Sequence, residues 1–251
     1  MKIGLIGSGN MASALARGLG GPIVCSDADA VRAQALADEL GGRAVAANAE
    51  VVAASEVVIL CHKPAQLASV ASELSTEGKI VVSLLGGVAL ADVRAAYAGA
   101  RVFRIMPNTA VEIRKGVVGL VDDDAGDARA FEAIQGLFAA VGEVIVVPES
   151  LLGPLTGVSG VGPAYAALVA EAQIDAAVRA GFPAPLAARL VGAAMEGSAA
   201  LLRERGMDTL AVRRAVTSPG GVTARGLSAL EAGGLRAAFD DAMDAVLEAG
   251  A

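Results

Sequence analysis

The residues whose spacing suggests chemistry begin at the N-terminus with Gly7-Ser8-Gly9-Asn10-Met11-Ala12. Two glycines one residue apart let the chain turn tightly and let backbone N–H groups approach an anion closely. A helix N-terminus directly behind them favours a pyrophosphate, and Ala12 stands where the motif has its third glycine, a place that asks only for close packing. A second stretch, Val216-Thr217-Ser218-Pro219-Gly220-Gly221-Val222-Thr223, carries Ser218 as a helix cap and Pro219 as a first helical residue. The N–H groups that follow could bind a carboxylate, and the same residues read equally well as an ordinary capped helix start. His62 is the one histidine, but nothing near it in sequence orients or charges it, so it reads as a strand-end residue rather than an acid or base. No G-x-S-x-G, H-E-x-x-H or spaced carboxylate pair occurs.

The elements that must hold these residues repeat one grammar. Ile3, Leu5 and Ile6 form an apolar run that ends at Gly7, and Met11–Arg17 is rich in helix formers. Ile23-Val24-Cys25 reads as the second strand, Asp29–Leu40 as a helix ended by Gly41-Gly42, and Val45 as part of a short strand, with Asn48 capping the next helix. Val57–Cys61, Lys79–Leu85 and Val102–Met106 are continuous apolar strands of the kind buried in a parallel sheet. Each strand ends in glycine or polar residues, where open parallel sheets bind ligands. Val117–Val121 and Val144–Val147 read as added edge strands around a helix from Ala125 to Ala140. Past Pro148-Glu149 the pattern is helical only, over 164–180, 185–203, 210–215, 219–232 and 235–247. This predicts an α/β dinucleotide-binding domain of the Rossmann type over 1–150 and an all-α domain over 151–251.

The end of the second strand is where an acidic residue binds the ribose of NAD and an arginine accommodates the 2′-phosphate of NADP. Ser26 and Asp27 stand there, and Arg32 lies about a turn into the following helix. Asp27 reads equally as a ribose ligand or a helix-start residue. The first role would disfavour a 2′-phosphate, so the choice of NADPH or NADH stays open.

Composition narrows the classes. The formal net charge is −7, and no basic cluster exceeds pairs such as Arg114-Lys115 and Arg213-Arg214, which speaks against nucleic acid. Hydrophobic residues make up 55% and the mean hydropathy is +0.59, high enough that a membrane segment has to be considered. The longest uncharged stretch, Ser150–Ala170, is interrupted by four glycines and two prolines and is not expected to span a bilayer. The apolar surface is expected to be hidden in an oligomer. Lys2 and the run after it imitate a leader peptide, but the glycine turn inside that run favours the strand. Cys25 and Cys61 both close strand runs and read as reduced core thiols of a cytoplasmic protein, and with no Cys/His cluster a structural zinc site is not expected.

Taken nearly end to end, the chain resembles the Δ1-pyrroline-5-carboxylate reductases. The resemblance rests on Gly7-Ser8-Gly9-Asn10-Met11, Lys63-Pro64, Met106-Pro107-Asn108-Thr109, Ser159-Gly160-Val161-Gly162-Pro163-Ala164 and, most specifically, Thr217–Thr223. It implies reduction of 1-pyrroline-5-carboxylate to L-proline with NADPH or NADH, and a helical domain that forms an intertwined homodimer, often assembling further. It places Asn48, Lys63, Pro64 and Asn108 at cofactor positions beside the glycine loop. Ser218, Gly220, Gly221, Val222 and Thr223 fall at the substrate loop, with the Thr223 hydroxyl at the imine nitrogen. The chain departs from the family at Ala110, Val161, Val222, Gly153 and Arg214, where members usually carry other residues, and His62 stands where a small apolar residue is common. Related dehydrogenases of 3-hydroxy acids carry a lysine in the first helix past the domain boundary, and Gly162–Ala180 has none. A non-catalytic dinucleotide sensor would have no use for the intact Ser218–Thr223 loop.

Overall fold

A computed structural model describes residues 1–249. The chain divides into two compact units, one of Met1–Pro163 with residues 246–249, the other of Ala164–Ala245.

The first unit is a doubly wound sheet. Its strands are β1 (Ile3–Ile6), β2 (Val24–Ser26), β3 (Arg43–Ala44), β4 (Val57–Leu60), β5 (Ile80–Ser83), β6 (Arg101–Pro107), β7 (Gly116–Val121) and β8 (Gly142–Val147). They lie in the order β3-β2-β1-β4-β5-β6-β7-β8. All pairs are parallel except β6 with β7, so β8 forms the edge and β7 lies inside the sheet, where two edge strands were expected. Helices α1 (Asn10–Leu19), α2 (Ala30–Leu40), α3 (Asn48–Ala54), α4 (Leu67–Ala71), α5 (Leu90–Ala96) and α6 (Ala128–Ala139) connect them.

The central strands β1, β4 and β5 are largely apolar because both faces are covered. Leu5, Ile59, Phe103 and Ile105 pack on one face with Leu15 and Leu36. Ile6, Val58, Leu60 and Val102 pack on the other with Val51, Val93 and Tyr97. Local caps set the helix ends. Asp29 accepts the Val31 and Arg32 N–H groups at the start of α2, and Gly41 closes that helix in the left-handed conformation.

The first unit extends past the expected boundary near residue 150. The short helix α7 (Leu152–Leu155) buries Leu152 in the core, and the Asn108 carboxamide donates to the Ser159 carbonyl at 3.0 Å. The helical segment after Pro148 is thus partly core of the sheet domain, which a change from strand to helix pattern cannot reveal. Glycine and proline leave this segment irregular, with a bend at Val161 just before the helix that starts at Gly162. Thr156–Gly160 is accommodated as a π-helical turn, and by length and composition alone Glu149–Arg179 contains an 18-residue stretch, of mean hydropathy 1.2, apolar enough to cross a membrane.

The second unit contains α8 (Gly162–Arg179) from Ala164 onward, α9 (Ala184–Glu204), α10 (Thr209–Ala215), α11 (Val222–Ala232) and most of α12 (Leu235–Ala249). Within these helices only Ala187 and Val191 are buried among the described residues, while Leu168, Leu190, Leu201, Leu230 and Phe239 are exposed. A helical layer with so much open apolar surface is built to be covered by another chain.

Candidate active site

The C-terminal ends of β1, β2 and β4 open onto a cleft of about 560 Å³ lined by Gly7, Gly9, Asp27, Arg32, Asn48, His62 and Lys63, among others. Gly7 has φ +101°, and a Cβ there would run into the Cys61 backbone at 2.7 Å. Gly9 starts α1 with no side-chain cap, and the first intrahelical bond runs from Ser13 N–H to the Gly9 carbonyl at 2.9 Å. The N–H groups of Asn10, Met11 and Ala12 precede that bond and sit at the positive end of the helix dipole. No protein atom would lie within 4 Å of a Cβ on Gly9, which would project into open space at the cleft wall. These features fit the pyrophosphate of a dinucleotide.

Around this cradle the structure assigns the sequence candidates different duties. Ser8 is buried, and its N–H donates to Asp27 Oδ2 at 2.6 Å. Asp27 Oδ1 accepts the Asp29 N–H at 2.9 Å. Asp27 is therefore a brace for the glycine loop. Ser26 is also buried, and its hydroxyl donates to Asn48 Oδ1 at 2.7 Å. The capping role expected of Asn48 belongs instead to Ala47 and Glu50, while the Asn48 carboxamide is held at the cleft by Ser26. Lys63 is exposed, and Pro64 opens a short 3₁₀ turn in which Gln66 Oε1 accepts the Lys63 N–H at 3.2 Å. Gln66 was not singled out from sequence, although its three-residue spacing from Lys63 is that of a capping pair.

His62 Nδ1 lies 3.0 Å from the Lys63 carbonyl. A carbonyl can only accept, so Nδ1 carries the proton and the neutral ring leaves Nε2 as an acceptor. Nε2 is buried without a partner among the described residues. Burial pushes the ring's pKa below its usual 6.5, partly offset by the Lys63 carbonyl. Burial likewise raises the Cys61 thiol to about 12, so it stays protonated and inert.

Asn108, expected at a cofactor position, is not among the residues lining this cleft. It is buried, accepting the Val117 N–H at 3.1 Å and donating to the Ser159 carbonyl, so its carboxamide joins β7 to the π-helical turn. Arg104 and Glu149 form a pair that sequence reading passed over. Arg104 Nη1 and the Leu90 N–H both donate to Glu149 Oε1 at 2.6 Å, tying β6, α5 and the end of the sheet domain together. An arginine inside an otherwise apolar strand was the available signal.

In the second unit, the glycine-rich loop forms a turn and not the expected cap. The Gly221 N–H donates to the Ser218 carbonyl at 3.0 Å, with Pro219 and Gly220 in the middle and Gly220 at φ +69°. Proline at the second and a positive-φ glycine at the third position are what such a turn requires. A Cβ on Gly221 would collide with Ser218 Oγ. Helix α11 therefore begins at Val222, with Gly221 as its uncapped start. Its first intrahelical bond runs from Arg225 N–H to the Gly221 carbonyl at 3.2 Å. The N–H groups of Val222, Thr223 and Ala224 precede it, and Thr223 carries its hydroxyl on that first turn.

Comparison with known proteins agrees with both halves. Residues 149–251 match the family model for pyrroline-5-carboxylate reductase dimerisation, and residues 2–87 that for coenzyme F420-dependent NADP oxidoreductases. A pyrroline-5-carboxylate reductase from Methanosarcina acetivorans is 38% identical over 99% of this chain and 95% of its own. The crystal structure of 1-pyrroline-5-carboxylate reductase from Streptococcus pyogenes superposes with a TM-score of 0.91 at 27% identity, covering 100% of this chain and 98% of that one. The Plasmodium falciparum pyrroline carboxylate reductase with NADP bound shares the fold, with a TM-score of 0.88 at 23% identity over 100% and 97% of the two chains. With the glycine cradle after β1, the Pro219-Gly220 turn before α11 and similarity along its whole length, this chain belongs to the pyrroline-5-carboxylate reductase family.

Proposed function

We propose that this protein reduces 1-pyrroline-5-carboxylate to L-proline, the last step of proline biosynthesis, as an NAD(P)H-dependent oxidoreductase. The observation that carries this reading is that two open helix N-termini, each led by glycine, occur in one chain of this family. One suits a pyrophosphate and the other a small carboxylate.

The chain's own residues bind and orient. Asn10, Met11 and Ala12 N–H groups hold the pyrophosphate, with Lys63 and Asn48 on the cleft wall beside it. The Val222, Thr223 and Ala224 N–H groups hold the substrate carboxylate. The Gly221 N–H, bonded to the Ser218 carbonyl, shapes the turn instead. A bound nicotinamide supplies the hydride that adds to the imine carbon. The Thr223 hydroxyl is far too weak an acid to ionise near neutral pH, so it holds the imine nitrogen or relays a proton to it.

The protein is a homo-oligomer, and the minimal assembly proposed is a homodimer through the exposed helices of the second unit. No nucleic-acid partner is proposed, and no membrane partner either: a second copy covers the apolar helices. The chemistry is that of a cytoplasmic enzyme. Following nicotinamide absorbance with NADPH or NADH and pyrroline-5-carboxylate tests the reading. Proline formation matching cofactor oxidation supports it, and nucleotide binding without turnover of this imine overturns it.

A further inference from the structure

The adenosine end of a dinucleotide in this fold lies past the end of β2, where the 2′ position of the ribose is read. Asp27 stands there in sequence, but the loop already occupies it. One carboxylate oxygen takes the Ser8 N–H and the other the Asp29 N–H, leaving the side chain 11% exposed. Arg32 is different. Its backbone is fixed, with its N–H donating to the Asp29 cap at 3.3 Å in the first turn of α2. Its guanidinium is 53% exposed on the wall of the same cleft, with Nη1 3.8 Å from Asp27 Oδ1 and Nη2 3.5 Å from Asp29 Oδ2. These are loose ion pairs. They aim the planar head while engaging a single Nη2 donor, in a long hydrogen bond to Asp29 Oδ2, and a guanidinium meets a phosphate with two parallel bonds. Lys63, the other cation lining the cleft, follows β4, on the opposite side of β1 from β2.

We infer that Arg32 is the specificity-determining residue for the cofactor: its guanidinium receives a 2′-phosphate, so the chain prefers the phosphorylated nucleotide although an aspartate ends β2. Asp27 and Asp29 are positioning residues that keep the guanidinium at the cleft. The inference rests on the dinucleotide reading of this cleft but not on the identity of the imine substrate.

The test is calorimetric titration of the intact protein with adenosine 2′,5′-bisphosphate and with 5′-AMP, which differ only in the 2′-phosphate. The wild type should bind the bisphosphate about tenfold or more tightly, as expected for a charge-assisted bidentate contact. Arg32→Ala should abolish that preference while leaving 5′-AMP affinity within about threefold, and Arg32→Lys should restore only part of it. Equal or tighter wild-type binding of 5′-AMP, or a preference that survives Arg32→Ala, overturns the inference. Binding of neither nucleotide overturns the dinucleotide reading and this inference together. The expected binding with no pyrroline-5-carboxylate reduction overturns the reaction alone.

Discussion

The Asp27 carboxylate accepts the Ser8 backbone N–H at 2.6 Å, joining the end of β2 to the glycine turn that follows β1. Ser8 lies between the two glycines of the cradle, so the bond fixes the backbone that must face a pyrophosphate. Asp27→Ala removes this bond and the one from the Asp29 N–H. Hydrogen bonds to a charged group contribute about 1.5–3 kcal/mol each, and partial exposure brings the pair toward a total loss of ~1–3 kcal/mol. Thermal melting should show that loss. Titrations should show both 5′-AMP and adenosine 2′,5′-bisphosphate weakened by the distorted cradle, and the bisphosphate preference reduced as well, because the Arg32 guanidinium loses its partner at 3.8 Å. A selective loss of 5′-AMP binding would make Asp27 a ribose ligand after all.

His62 gives a pH dependence with a definite sign. Its folded pKa lies below the usual 6.5 because burial disfavours the charged ring. Between those two values the unfolded chain binds more protons than the folded one, so stability falls as pH drops through that window and is fully restored above 6.5. Melting temperatures taken from about pH 7 down to about pH 5 should fall more steeply for the wild type than for His62→Gln. Parallel slopes would show that the ring titrates freely when folded.

Glu149 is the joint between the sheet and the first helical turns. Its Oε1 receives both Arg104 Nη1 and the Leu90 N–H, and the Arg104 side chain is 9% exposed against 35% for Glu149. Glu149→Ala leaves a buried guanidinium without its charge partner. Breaking a fully buried pair costs about 3–5 kcal/mol, and the partial exposure of Glu149 lowers the expectation to ~2–3 kcal/mol in chemical denaturation. A change below about 0.5 kcal/mol would mean that water replaces the carboxylate without penalty.

The helical unit exposes Leu168, Leu190, Leu201, Leu230 and Phe239. Light scattering at micromolar concentration should give at least twice the 24.8 kDa mass of one chain. A monomer there would require these side chains to be covered some other way and would remove the proposed homodimer.

Much of this was legible because it depended on local patterns. Leu5 and Ile6 face opposite sides of the sheet, and only a strand buried on both faces needs both to be apolar. Gly7 announces a positive φ beside another backbone. What was hidden depended on partners distant in sequence. Asp27 read equally as a ribose ligand or a helix-start residue, and its bond to Ser8 was hidden because 19 residues separate the two. Asn108 looked like a cofactor residue, yet its carboxamide reaches Ser159, 51 residues on. Ser218-Pro219 looked like a cap and first helical residue, and the competing preference of Pro-Gly for a turn prevailed, delaying the helix to Val222. That shift leaves Thr223 in the first helical turn.

Thr223 therefore bears the most direct test of the chemistry. Thr223→Ala keeps the backbone N–H proposed to hold the substrate carboxylate and favours the helix, so the turn from Ser218 to Gly221 and the start of α11 should survive. The hydroxyl alone disappears. If it holds or protonates the imine nitrogen as that atom gains basic character, kcat should fall by ~10²-fold or more with a much smaller change in KM. Thr223→Ser, which retains the hydroxyl, should recover most of the rate. His62 is the rival proton donor, but its ring proton is on Nδ1 and committed to the Lys63 carbonyl, leaving a neutral Nε2 with nothing to give. His62→Gln should accordingly keep kcat within a few-fold. Steady-state rates at saturating cofactor decide between them. A collapse in the His62 variant with Thr223→Ala near wild type would move the proton-donating role from the α11 helix to the end of β4.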